Sequence, residues 1–313
     1  MERVFFQAKR DALENITELY NFFHSLTVSF LFTRKEINRL NADSVATSDA
    51  DFKNVIDPNT EVHGVGYRKA FIDTPWEEQE QQLAWILLNN LFAIHEGWAS
   101  MLYNERFRPY HYQEKTFEKA LEYTELSSKF NKYFCSRTNR STLMENTFFD
   151  VYKNSSGLDF GKLDNYMLMY RFFKEARNCY MHGNKIASQK VINAYNSYAP
   201  ISTLSDLDTN EVPIVNPPIL RQPIQLNLRG IIGFSQFLRR ILIISDINLI
   251  KAEAAEAELI QRKPQNWKID TLSSNHMRCV QQLTKYTNSI GLLRPRWSLD
   301  YQNFMITNGL FYI

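Results

Sequence analysis

Apolar side chains recur at every third or fourth position over several stretches that are too long to be anything but helices. The clearest runs through Leu228, Ile231, Phe234, Leu238, Leu242 and Leu249. It predicts one helix over 226–262, whose Ala- and Glu-rich tail is strongly helical by propensity. A second stripe, Leu13, Ile16, Tyr20, Phe23 and Phe30, predicts a helix over 4–40, and a third runs through Leu83, Leu87, Leu91, Ile94, Trp98 and Leu102. Nothing alternates strand with helix. Ten Gly and ten Pro in 313 residues are too few for a turn-rich sandwich or barrel. The expectation is an all-α helical bundle with long connections, its core filled from 22 Phe and 16 Tyr.

Local signals divide the chain further. Residues 41–73 carry loop chemistry (Asp57-Pro58-Asn59, His63-Gly64-Val65-Gly66). Thr74 is placed to cap the helix that follows, with Pro75 at its first position and Glu77 completing a capping box. Shorter helices are expected over 114–134, 141–153, 187–197 and 271–290, and a strongly patterned one over 161–182, ending in a left-handed turn at Gly183-Asn184. Residues 199–224, with five prolines, read as a connection in which no hairpin is forced. The bundle is thus expected over 1–262 with its core at about 75–262, and 263–313 as a helical extension packed on the same domain.

A net charge of +2 is too weak to announce a nucleic-acid coat or a polybasic membrane anchor. Cys135, Cys179 and Cys279 are odd in number and widely spaced, without the Cys/His spacing of a zinc site, so neither a disulfide framework nor a metal is expected. The N-terminus lacks the order of a signal peptide, and Leu26 to Phe32 is too short to span a bilayer. A cytoplasmic protein without membrane or cofactor follows as the expectation.

One segment carries chemistry: Arg177-Asn178-Cys179-Tyr180-Met181-His182. Tyr166, Tyr170, Phe173, Arg177 and Tyr180 share one helical face, so Arg177 lies on an apolar stripe and its permanent charge needs a carboxylate, an interface or an anionic ligand. Asn178 and His182 stack on an adjacent face, with Arg171 and Lys174 along the same side and Lys185 just beyond. In a continuous helix Arg177 and His182 point roughly 140° apart. Loosening of the helix near Gly183, or a two-fold axis that brings in a second copy, would close that gap. The three residue types suit RNA cleavage by attack of the substrate's own 2′-hydroxyl: imidazole moves a proton, guanidinium holds charge on the phosphorane, and the amide orients an oxygen.

Arg followed after four residues by His, with Asn directly after the Arg, near the end of an amphipathic helix in a helical bundle, resembles the HEPN superfamily (higher eukaryotes and prokaryotes nucleotide-binding). The resemblance covers about 75 to 262 and leaves 1–73 and 263–313 as elaborations. It implies a metal-independent endoribonuclease of prokaryotic defence or toxin–antitoxin systems, acting on RNA as a homodimer with the two motifs at the interface and answering to a regulatory or antitoxin protein. It implies Arg177, Asn178 and His182 as catalytic residues. A non-catalytic dimerisation or nucleotide- or RNA-binding module of the same fold is the alternative.

Plainer readings stand beside these. Basic residues at a helix C-terminus complement its dipole, which accounts for His182 but poorly for Arg177. Glu96 is a candidate to orient Arg177 or His182, against a merely solvated acid, and His95 reads as packed. Arg106, Arg108, Tyr110, His111 and Tyr112 interleave basic and aromatic side chains in a loop that would suit stacked RNA, or be ordinary surface. Cys179 reads as packing.

Overall fold

The computed structural model describes residues 4–56, 58, 64, 66–110, 140–182, 184–268 and 270–312. The expected helix over 114–134, together with His111, Tyr112, Cys135 and Gly183, lies outside them. The fold is all-α. Its only strands among the described residues are β1 (Asp270–Thr271) and β2 (Phe311–Tyr312), two residues each, paired in parallel.

Helix α1 spans Gln7–Ala42, 36 residues and therefore about 54 Å of rise. Its N-terminus has no side-chain cap of its own. The orphan amides of Phe5 and Phe6 instead donate to the Asp246 carboxylate, each at 3.2 Å, and that of Gln7 donates to Glu258 at 3.2 Å. Two acids from the far end of the chain thus occupy the positive pole of the first helix. Lys9, 1% exposed, lies 3.5 Å from Asp246, and Glu258 also pairs with Arg106 and with Arg262. Every charge in this interior cluster has an opposite neighbour, as burial requires.

A short helix α2 (Asp49–Ile56) and a helical segment ending in the π-helical turn Lys69–Asp73 occupy the region expected to be loop. Phe52, Tyr67 and Phe71 there pack with Ile37 and Leu40 of α1 in a small second core, which holds both helical segments against α1, whereas Asp57, Asn59, His63 and Val65 of the expected loop lie outside the described residues. The same turn corrects the expected cap of α3 (Trp76–Leu102). The Thr74 amide and hydroxyl both donate to the Lys69 carbonyl, closing the π turn, so Pro75 is the last residue before the helix and Thr74 caps nothing. Glu77 and Glu78 in the first turn still complement the dipole.

The turn Thr142–Met144 and π-helical turn Glu145–Phe149 lead into α4 (Asp150–Ser156), and α5 covers Leu163–His182. Asp159 starts the approach to α5 by accepting the Gly161 amide at 2.8 Å. Helix α6 is Gln189–Tyr198. The Pro-rich connection that follows forms no hairpin with itself. It pairs with the segment just past α5: Ala187 donates to Gln222 at 2.9 Å, Ile224 to Lys185 at 2.9 Å, and Ile186 bridges Pro223. The connection then crosses the start of α7 (Leu228–Leu249) closely enough that a Cβ on Gly230 would stand 1.9 Å from the Ile214 carbonyl oxygen.

The single helix expected over 226–262 is two, α7 and α8 (Ala254–Gln261). The Lys251 carbonyl accepts from Ser141 at 2.9 Å, and Arg140 bridges Ala252. The Ala255 amide, which a continuous helix would bond to Lys251, turns to Ala252 instead. Tertiary pairing overrides propensity here. Helix α9 (His276–Ser289) begins later than expected because residues 270–271 are in β1 and Asn275 caps it, and α10 (Leu299–Thr307) was not expected from the sequence.

Apart from that small second core, one large core joins the described elements. Phe92 of α3, Tyr170 and Phe173 of α5 and Phe234 of α7 form its aromatic centre, with Phe173 and Phe234 ring centroids 4.4 Å apart. Phe5, Phe6 and Ile16 from the first helix and Tyr286, Tyr301 and Phe311 from the last fifty residues belong to the same cluster. No helix among the described residues is long and apolar enough to cross a membrane.

Candidate functional site

Helices α3 and α5 pack side by side. Trp85, early in α3, stacks on Tyr180, late in α5, at 4.4 Å, and His95, ten residues on, meets Tyr170, ten residues back. The two helices therefore run in opposite directions. Tyr166, Tyr170 and Phe173 are buried, and the same stripe emerges from the core at Arg177 and Tyr180, both half-buried.

Arg177 meets Glu96 of α3 fork to fork, Nη1 to Oε1 and Nη2 to Oε2, each at 3.3 Å. The side chains are 20% and 37% exposed, so the pair sits at the rim of the helix interface, partly open to water. The charge demanded by the apolar stripe is thus met by a carboxylate, and Glu96 has the orienting position expected for it. The Arg177 Nε is buried and finds no acceptor among the described residues.

Asn178 is half-buried and His182 exposed, and neither side chain makes a hydrogen bond or ion pair among the described residues. The structure does not bring Arg177 and His182 together in one chain. Helix α5 stays regular through His182, so the loosening that would swing the imidazole toward the guanidinium does not happen inside it. The left-handed turn comes after it, at Asn184 (φ +51°) and Lys185 (φ +68°), and the Lys185 amide closes back on the Cys179 carbonyl at 3.1 Å. The strand-like pairing of 185–187 with 221–224 then fixes the path out of the helix.

Of the other residues singled out, Lys185 holds its ammonium 5.0 Å above the Tyr180 ring, which itself lies on Trp85. Arg171 is half-buried, its Nε enclosed without an acceptor among the described residues, and Lys174 is half-buried on the same helix. His95 is fully buried, with Nδ1 3.2 Å from the Tyr170 hydroxyl and Nε2 unpartnered among the described residues. Burial pulls this imidazole down to about 3, and the Lys174 charge acts in the same direction. A histidine so held is neutral and packed, as the sequence suggests. Cys179 is buried against Ser188, its thiol 3.4 Å from the hydroxyl, which agrees with packing.

Arg106 and Phe107 lie in a π-helical turn that prolongs α3 and not in a loop, and Arg106 pairs with Glu258 in the interior cluster, while His111 and Tyr112 lie outside the described residues. Two neighbours of the site escaped the sequence reading. Trp85 supports Tyr180, and the buried Oδ1 of Asn89 has no donor among the described residues. Trp85, Asn89 and Glu96 are spaced four and seven apart, one face of α3, and that spacing was the available signal. No group of three or more His, Cys, Asp or Glu side chains is arranged to hold a metal ion among the described residues. No family model, no curated protein and no solved structure matches this chain.

Proposed function

We propose that this chain is a metal-independent endoribonuclease of the HEPN type, cutting RNA through its own 2′-hydroxyl at a site that two copies complete. The observation that carries the reading is the end of α5: an arginine paired with Glu96, beside a half-buried amide and an exposed imidazole whose side chains make no hydrogen bond among the described residues. Arg177 would bind the phosphate and the charge that develops on it, Asn178 would position an oxygen, and His182 would move the proton. Because the Arg177 and His182 side chains diverge along a regular helix, His182 of one copy serves the Arg177 of another. Lys185 beside Tyr180, with Lys174 and Arg171 along α5, would guide the RNA backbone. A cytoplasmic role in prokaryotic defence, under a regulatory or antitoxin protein, accompanies this reading.

The test is incubation of the wild type and His182→Ala with a mixed RNA pool in EDTA. Cleavage that leaves cyclic phosphate and 5′-hydroxyl ends, and that vanishes in the variant, supports the enzyme. Absence of cleavage by a folded wild type sinks it.

A second reading, a non-catalytic helical module of the same fold, is favoured by the Arg177–Glu96 pair itself. A guanidinium already matched by a carboxylate has less charge to offer a phosphate. Nucleotide or RNA binding without cleavage, retained in His182→Ala, would establish it.

A further inference from the structure

A cleft of about 420 Å3 lies between the first turns of α1 and the middle of α7. Small molecules are commonly held in spaces of about 300–1,000 Å3. Four of its lining side chains are charged: Arg10, Glu14 and Glu18 from α1 and Arg239 from α7. Val4 and Leu13, both buried, give it an apolar part.

Two bases beside two acids ordinarily neutralise one another, and Arg10 and Glu14 are one helical turn apart, the spacing at which such pairs form. Here none of the four makes an ion pair among the described residues. Each arginine is drawn elsewhere. Arg239 Nη2 donates to the Leu13 carbonyl at 3.4 Å and to the Thr17 hydroxyl at 2.5 Å, which fastens the guanidinium across α1. Arg10 reaches the turn after α9, where a Cβ on Gly291 would stand 3.4 Å from its Nη2. Its Nε is enclosed without an acceptor among the described residues. Glu14 and Glu18, again one turn apart, are left exposed with no cation on them. The cleft therefore presents guanidiniums anchored by uncharged partners, open carboxylates and an apolar surface, with neither sign of charge cancelled by the other.

We infer that this cleft binds a small zwitterion, an α-amino acid with an apolar side chain. The ligand's carboxylate meets Arg10 and Arg239, its ammonium meets Glu14 and Glu18, and its side chain lies on Val4 and Leu13. A simple anion would face the two acids, and a simple amine the two guanidiniums. A molecule carrying both charges answers both walls, and that difference sets the specificity. Contacts made without ligand already hold Arg239 in place, so less freedom is lost when the ligand arrives.

The test titrates the full chain by calorimetry with leucine and phenylalanine. Isocaproate and isoamylamine, which are leucine without its ammonium and without its carboxylate, are run beside them. Both amino acids should bind with dissociation constants of about 1 mM or below, and the two analogues at least about tenfold more weakly than leucine. Glu14→Gln/Glu18→Gln should weaken leucine at least about tenfold while isocaproate binds no less tightly. Arg10→Gln/Arg239→Gln should weaken leucine as much while isoamylamine binds no less tightly. A variant that had merely lost its shape would weaken every probe together, so the opposite responses of the analogues carry the inference. Absence of binding by either amino acid up to about 10 mM, an analogue that binds as tightly as leucine, or leucine binding that survives both double changes would each overturn it. None of these residues lies in the Arg177 site, so RNA cleavage by the same variants reports separately on the ribonuclease reading.

Discussion

Glu96 holds Arg177 by both carboxylate oxygens at 3.3 Å, joining α3 to the end of α5 through a pair that water still reaches. Its weight falls on orientation more than on stability. Both partners are partly exposed and the contacts are long, so Glu96→Gln should change unfolding free energy by less than about 1 kcal/mol. If the arginine must be aimed at a phosphate, the same variant should lose RNA cleavage about tenfold or more, with Arg177→Lys also impaired because an ammonium cannot fork. Cleavage rates beside thermal melts make the comparison. Unchanged cleavage in Glu96→Gln would remove the orienting role.

The imidazole of His95 makes the fold sensitive to acid. In the folded chain it takes a proton only near pH 3, against 6.5 for the free side chain. As pH falls through 6.5 the unfolded chain gains a proton that the folded chain refuses, so stability declines between about 6.5 and about 3. The limiting slope is about 1.4 kcal/mol per pH unit. Urea midpoints measured across this window should fall toward acid, and His95→Gln should flatten the profile. An equal slope in the variant would assign the effect to other groups.

Two glycines in helices should respond oppositely to alanine. A Cβ on Gly230 would meet the Ile214 carbonyl at 1.9 Å, a backbone atom that cannot rotate away, and Gly230→Ala should cost about 1–3 kcal/mol. A Cβ on Gly97, in the middle of α3, meets nothing within 4 Å, and Gly97→Ala should stabilise by about 0.5–1 kcal/mol. Chemical denaturation of the pair decides both signs.

Asp246→Asn should leave the Lys9 ammonium buried beside a neutral amide. The expected loss is about 3–5 kcal/mol, with faster amide hydrogen exchange at Phe5 and Phe6, whose donors now have a weaker acceptor. A loss below about 1 kcal/mol would mean that Asp246 is protonated in the native state, the direction in which its burial pushes it.

Helices with long apolar stripes were legible from sequence because period decides them locally: α1, α3 and α5 lie close to where the spacing of Leu13, Leu87 and Tyr170 puts them. What failed depended on distant partners. Thr74 has every feature of a cap, but Lys69 takes its hydroxyl, and no local pattern announces a π turn. The Ala- and Glu-rich run after Leu249 would be helical alone, and it breaks because Ser141 takes a carbonyl over a hundred residues away in sequence. At the site, the charge of Arg177 on an apolar face required a partner, and Glu96 could be nominated because it lay on the other strongly patterned helix. Trp85 and Asn89 share a face of α3 with Glu96, which their spacing shows, but that Trp85 lies under Tyr180 is visible only in the packed structure. The partner of Arg106 was not legible for the complementary reason, because its acid is Glu258, in a helix far along the chain.

The anchoring of Phe5 by Asp246, 241 positions downstream, has a consequence for biosynthesis. Translation proceeds at about 5–20 residues per second, so the leading helix emerges on the order of tens of seconds before the acid that seals its start. Through that interval its uncharged stretch at 19–33 has only the partners that emerge early, Phe71 and Trp76 against Phe30. The start of α1 therefore closes only when the second half of the chain arrives, so its first turn is among the last parts of the molecule to be sealed during synthesis.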